Sequence, residues 1–255
     1  MPLVSTPTLV DYLDSELRIG EIVDYSNALN GLQMAHRSGK VTKIVAAVDA
    51  CLPVMRKASV LKADLLLVHH GMFWNGLQPV VNSVFEKIST CVDADLAIYS
   101  AHLPLDVHPT WGNNALLARS LGLSPSGTWL DYKGTKIGLI ADTDLTLDAL
   151  VERTQLAVGG GNVHVCRGGS SRPKRIGICT GGAGSEVAAA KAAGIDTLIS
   201  GEGPHWSYTL AEELGINVLY AGHYATETFG VKALASHLAD KFGLEWQFVD
   251  HPTGL

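Results

Sequence analysis

Two stretches of this chain place a histidine four positions ahead of a carboxylate, directly after an apolar run. They are His102 with Asp106 in "LAIYSAHLPLD", and His223 with Glu227 in "NVLYAGHYATE". A third apolar run, "DLLLVHHG", ends in His69 and His70. Imidazole nitrogens and carboxylate oxygens bind divalent transition metals, and all six groups follow segments patterned as strands, where open α/β sheets place their ligand sites. A metal-centred site is the leading reading.

The spacing sharpens that reading group by group. Adjacent residues of an ideal strand point to opposite faces, so His69 and His70 serve one site only if the chain leaves the strand there, a turn that Gly71 permits. His223 and Glu227 fall one helical turn apart as the chain enters a helix, with Gly222 giving the backbone freedom just before them. A surface Glu–His pair would be worth only a few tenths of a kcal/mol, roughly as for other i,i+4 pairs, and the convergence of three clusters outweighs it. In "HLPLDVHPTWGNN", Pro104 and Pro109 exclude a regular helix, which puts His102, Asp106 and His108 on a loop. His108 beside Pro109 reads as a turn residue, and Asn113 and Asn114 read as caps of the next helix.

His69, His70, Asp106, His223 and Glu227 together exceed the three protein ligands that one catalytic ion usually takes. Two ions fit better, because a carboxylate can bridge a pair roughly 3.5–4 Å apart. Mixed imidazole and carboxylate ligation suits zinc, iron, manganese, cobalt or nickel, and spacing does not choose among them. Glu227 and His102 are the catalytic candidates. Glu202 and His205 in "SGEGPHW" are candidates for substrate contact or proton transfer. The glycines of "CTGGAGSE" fit either an anion at a helix N-terminus or close strand-to-helix packing; the spacing matches neither a P-loop nor a dinucleotide fingerprint.

The elements that position these groups follow from hydropathy. Apolar runs predict strands near 43–48, 64–69, 96–100, 136–141, 175–179, 196–200 and 217–221 with helical patterns between many of them, an α/β protein with a largely parallel sheet. The chain also resembles itself. Residues 43–70 lie over 175–202 without a gap, so that His70 meets Glu202, and "LAIYSAHLPLD" lies over "NVLYAGHYATE", so that Tyr99 meets Tyr220, His102 meets His223 and Asp106 meets Glu227. This describes two similar α/β domains related by an internal repeat, whose strand ends would face a shared cleft.

Composition narrows the class. With 255 residues, 47% hydrophobic and 17% charged, the chain can bury a sizeable core. Neither an apolar run long enough for a membrane helix nor a signal peptide is evident, so a cytoplasmic location is expected. Cys51, Cys91, Cys166 and Cys179 are scattered, which suggests reduced thiols. A net charge of -6 without a basic run argues against nucleic acid as a partner.

At these motifs the sequence resembles the Nif-three-like family of dinuclear metal centre proteins, also called GTP cyclohydrolase I type 2 homologues. The resemblance rests on "DYSNALNGLQM", "LLLVHHG", "HLPLDVHPTWGNN", "SGEGPHW" and "GHYATETFG" in that order. It implies two similar α/β domains in a ring-shaped homohexamer, with two metal ions per subunit. The implied ligands are His69, His70, Asp106, His223 and Glu227, with Glu227 as a bridge and His102 close to the metals in a supporting place. It implies that the second domain, 127–219, is inserted into a first domain of 1–126 plus 220–255. The favoured activity is that of a metal-dependent hydrolase, in which metal-bound hydroxide attacks a nucleotide-like or other small substrate. A metal-dependent phosphoesterase and a non-catalytic, metal-stabilised hexameric scaffold are the alternatives.

Overall fold

A computed structural model describes residues 3–76 and 78–255. The chain first lays down β1 (Val4–Ser5), α1 (Thr6–Glu16), β2 (Gly31–Met34), β3 (Lys40–Val41), β4 (Lys43–Asp49), α2 (Leu52–Val60), β5 (Leu65–His70), α3 (Asn82–Asp93), β6 (Ala97–Ser100) and α4 (Leu103–Asp106). It continues through α5 (Asn113–Ser120), β7 (Pro125–Tyr132), β8 (Thr135–Asp142), α6 (Leu147–Ala157), β9 (His164–Arg167), β10 (Arg175–Ile178), α7 (Val187–Ala192), β11 (Thr197–Ser200), α8 (His205–Leu214) and β12 (Asn217–Tyr220). The last elements are α9 (His223–Thr226), α10 (Thr228–Phe242) and β13 (Glu245–Phe248). Two compact units result, one of Met1–Leu105 with Gly230–His251 and one of Asp106–Phe229 with Pro252–Leu255.

The first unit is built on a sheet of order β13-β4-β5-β6-β2. Strands β13, β4, β5 and β6 are parallel, and β2 closes the far edge antiparallel to β6. Apolar residues fill both faces of the central strands, as parallel strands covered on both sides require. Val45 and Ala47 of β4 and Leu66 and Val68 of β5 pack with Val54, Met55 and Ala58 of α2. Tyr99 of β6 is fully buried and donates its hydroxyl to Asp14 of α1 at 2.7 Å. Burial, then the hydrogen bond and charge of Asp14, raise its pKa, so the neutral phenol is favoured.

The second unit is built on a sheet of order β7-β8-β10-β11-β12-β9, in which β10, β11 and β12 are parallel and the remaining strands pair antiparallel. Side-chain alternation divides its core into two layers. Ile199 and Leu219 pack with Leu117, Leu121 and Leu150, whereas Leu198 and Val218 pack with Val187, Ala190 and Ala211.

All seven expected strands are present; the first sheet is largely parallel, with β2 its antiparallel edge, whereas the second is mixed, its parallel pairing limited to β10, β11 and β12. The strands the hydropathy pattern did not mark are edge or hairpin strands such as β9, which is exposed at both ends and covered between them, and β13, which is mostly exposed; neither forms an apolar run. A second correction concerns 103–106. This segment is a helical turn and not a loop, because Pro104 occupies its first turn, where a missing N–H costs nothing. The four cysteines are free thiols, and among the described residues no helix is long and apolar enough to cross a membrane.

Candidate metal-binding residues

The first unit carries an all-imidazole set at the carboxyl ends of two neighbouring parallel strands, β5 and β6. Strand β5 does not stop before its histidines; it runs through His70, which stands in register with Asp49 of β4. The rings reach one another because each is drawn toward a neighbouring strand end. His69 Nδ1 donates to the carbonyl of Ala101 at 2.9 Å, and His70 Nδ1 to Asp49 Oδ1 at 2.9 Å. The two ring centroids lie 4.8 Å apart. Gly71 serves a different purpose from the expected turn: a Cβ there would run into the Gln33 amide, which accepts from Met72 N–H at 2.8 Å.

His102 completes this set. Its Nδ1 donates to Asp24 Oδ1 at 2.9 Å, while its backbone N–H donates to Asn30 Oδ1 at 2.7 Å. Asp24 also accepts from Leu103 N–H at 2.9 Å and from the Asn30 amide at 2.8 Å. Burial alone would raise the Asp24 pKa, but the hydrogen bond and charge of His102, with Asn30 and Tyr25 N–H, outweigh it and lower the value. Each of His69, His70 and His102 offers a ligand atom within 4.8 Å of those of the other two. Carbonyls and carboxylates only accept, so each Nδ1 carries the proton and Nε2 is the ring nitrogen that could bind a metal or take up a proton.

The second unit carries the carboxylates. Asp106 is buried and accepts from the Asn113 amide at 2.8 Å. Asn114 accepts from Thr180 N–H at 2.8 Å and donates to the carbonyl of Ile137 at 2.9 Å. The expected capping role of the two asparagines is therefore corrected: Gly112 is the N-cap of α5, without a side-chain cap, and the amides instead fix Asp106 and its surroundings. His223 follows Gly222, whose φ of 94° suits glycine. Its Nδ1 lies 2.9 Å from Glu202 Oε1 and its Nε2 lies 3.2 Å from Glu227 Oε2, so the expected one-turn stacking is present. Burial works against a charged His223, but both carboxylates more than compensate and bring its pKa up to about 9.

Glu227 is only 2% exposed. Buried carboxylates are costly unless paired or coordinated, and this one is held where backbone approaches closely. A side chain at Gly181 would run into Glu227 Oε1, and one at Gly201 would lie 2.6 Å from the His223 Cα. The glycines of "CTGGAGSE" thus work through close packing. Among the sequence candidates, Glu202 reaches His223, and His205 is the exposed first residue of α8 beside a cavity that Glu202 also lines. His108 stacks on Trp111 with ring centroids 4.4 Å apart. Sequence reasoning missed Asp49 and Asp24, the carboxylates behind His70 and His102. Asp24 stands first in the "DYSNALNGLQM" motif, and Asp49 ends an apolar strand whose parallel register with β5 brings it to His70.

The donor set fits divalent metal. Every candidate imidazole has Nδ1 anchored on a carbonyl or carboxylate, the arrangement by which proteins orient metal-ligating histidines. The class is thus an α/β protein of two mixed-sheet units with histidine and carboxylate groups able to hold metal ions.

Comparison with known proteins agrees. Residues 5–253 match the family model Duf34/NIF3 (NGG1p interacting factor 3). A "GTP cyclohydrolase 1 type 2 homolog" of Deinococcus radiodurans is 42% identical over 97% of this chain and 93% of its own, and one from Pyrococcus horikoshii is 41% identical over 97% and 98%. The crystal structure of TTHA1606 from Thermus thermophilus is similar with a TM-score of 0.88 at 40% identity, covering 99% of this chain and all of that one. The chain belongs to the Duf34/NIF3 family.

Proposed function

We propose that the protein is a metal-dependent hydrolase whose His69, His70, Asp106, His223 and Glu227 serve two divalent ions, with Glu227 as the bridging carboxylate. The observation that carries this reading is the anchoring of His69, His70 and His223 through Nδ1. Such ions, drawn from zinc, iron or manganese, would lower the pKa of a bound water and clamp oxygens of the group being hydrolysed. His102, fixed by Asp24, is the proposed proton-handling side chain, and Glu227 the second catalytic candidate. Glu202 and His205 are proposed to contact a nucleotide-like or other small substrate.

The proposal extends to architecture. Parallel trios β4-β5-β6 and β10-β11-β12 support a duplicated α/β unit, and they coincide with the segments that overlay in sequence. The compact run of residues 106–229, flanked by 1–105 and 230–251 of the other unit, supports an inserted second domain, proposed as 127–219 within 1–126 plus 220–255. A homohexamer working in the cytoplasm is part of the same reading, on the strength of the family resemblance. The test is elemental analysis of the purified protein, followed by a turnover screen against nucleotides and phosphoesters. Two ions per chain, with turnover that Glu227→Ala removes, are expected. One ion or none at full occupancy would refute the dinuclear centre, and absence of turnover would refute the hydrolase.

A further inference from the structure

The second unit holds a cavity of about 400 Å³ lined by His164, Glu202, His205, Tyr208, Thr209 and Tyr220, among others. Its size falls within the range of small-molecule sites, roughly 300–1,000 Å³. Three of these side chains form an aromatic wall: the His164 ring centroid lies 5.4 Å from that of Tyr208 and 6.0 Å from that of Tyr220.

One ring of the wall, that of Tyr220, is held in place. A Cβ at Gly184 or at Gly203 would fall 2.8 Å from Tyr220 Cε1, so both glycines let backbone lie close to that ring. The Tyr220 hydroxyl meets Ser207 Oγ at 2.7 Å, and Ser207 in turn donates to the carbonyl of Pro204 at 2.7 Å. A ring fixed in this way loses little conformational freedom when another is laid against it.

Charge narrows the occupant. The lining includes no lysine or arginine, so no fixed cationic side chain is there to draw a phosphate. Its carboxylate is Glu202, whose side chain is 42% exposed and which uses Oε1 for His223 Nδ1. An ionised carboxylate only accepts, and it therefore selects a partner that donates.

We infer that this cavity binds a planar nitrogen heteroaromatic ring through stacking on the His164, Tyr208 and Tyr220 wall, with an N–H of the ring donated to Glu202. Its place as the ring-binding part of a substrate site rests on the hydrolase reading above, because Glu202 touches both the cavity and His223; the binding itself does not. Indole and guanosine are suitable probes, and benzofuran matches indole in shape without the N–H.

The experiment is calorimetric or ligand-observed NMR titration of the full chain, as purified and after chelation. Indole and guanosine are expected to bind with Kd on the order of 1 mM or tighter, and benzofuran several-fold more weakly than indole. Tyr208→Ala and Thr209→Trp, which removes a ring and fills the cavity respectively, are each expected to weaken binding at least tenfold, with melting temperature confirming that each variant is folded. Glu202→Met, which keeps the length of the side chain without a carboxylate or carbonyl oxygen, is expected to remove the preference for indole over benzofuran while ring binding persists. Absence of binding, or binding indifferent to both Tyr208→Ala and Thr209→Trp, overturns the site; equal binding of indole and benzofuran overturns the role of Glu202. Ring binding in protein that takes up no metal leaves this inference standing and removes the dinuclear reading, and metal uptake without ring binding does the reverse.

Discussion

The two units carry their candidate ligands in contrasting chemistry. The first presents imidazole nitrogens, those of His69, His70 and His102, with carboxylates set one hydrogen bond behind two of them as Asp49 and Asp24. The second presents anionic oxygens, Asp106 and Glu227, with His223 caught between two carboxylates at 2.9 and 3.2 Å. In the first, acidic groups aim the candidate imidazoles; in the second they are themselves candidates for binding metal. An imidazole is aimed by the group behind its other nitrogen, whereas a carboxylate brings negative charge with the donor oxygen itself.

The contrast can be broken most directly at Glu227. Glu227→Ala is expected to lower bound metal from two ions per chain to one or fewer by elemental analysis, and retention of both would remove it from the centre. The supporting carboxylates come next. Asp49→Asn is expected to weaken metal affinity about 10- to 100-fold in chelator competition with circular dichroism unchanged, as for other groups behind a ligating histidine. An unchanged affinity would make the His70–Asp49 contact merely structural.

Smaller effects compare the bracing of the halves. Asn113→Ala is expected to cost about 1–3 kcal/mol in denaturant unfolding, because it strips a buried carboxylate of an amide donor. A loss below a few tenths would show that Asp106 is held without it. Last come the tyrosines that overlay in the sequence repeat. Tyr99→Phe is expected to cost about 1.5–3 kcal/mol, since its hydroxyl bonds a carboxylate, against about 0.5–1.5 for Tyr220→Phe, whose partner is a serine. The folded-state pKa of Tyr99 is raised above its ordinary value near 10, so its contribution is complete below that pH and declines as pH rises past it. Melting temperatures at pH 9 and 11 should therefore fall less in Tyr99→Phe than in the unsubstituted chain.

The central strands and the one-turn stacking of His223 on Glu227 were legible in the sequence because both are local patterns with a fixed period. The residues that orient the ligands were not. Asp24 lies 78 positions before His102 and Asp49 lies 21 before His70, and only sheet order and register bring them together. Proline misled at 103–106 because its effect depends on position within the turn. The asparagines after Gly112 misled because two buried polar groups, Asp106 and Thr180 N–H, compete successfully for amides that a helix end would otherwise use.

Strand β13 pairs with β4 across almost the entire length of the chain, and α10 joins the same unit. The implication is one of timing during synthesis. When β4, β5 and β6 leave the ribosome, the β4 side of their sheet is an open edge, able to recruit any passing strand. The whole of residues 106–229 must be made before the strand that seals it exists. The unit the chain starts first cannot close its sheet until residues 245–248 have been made, long after β4, β5 and β6.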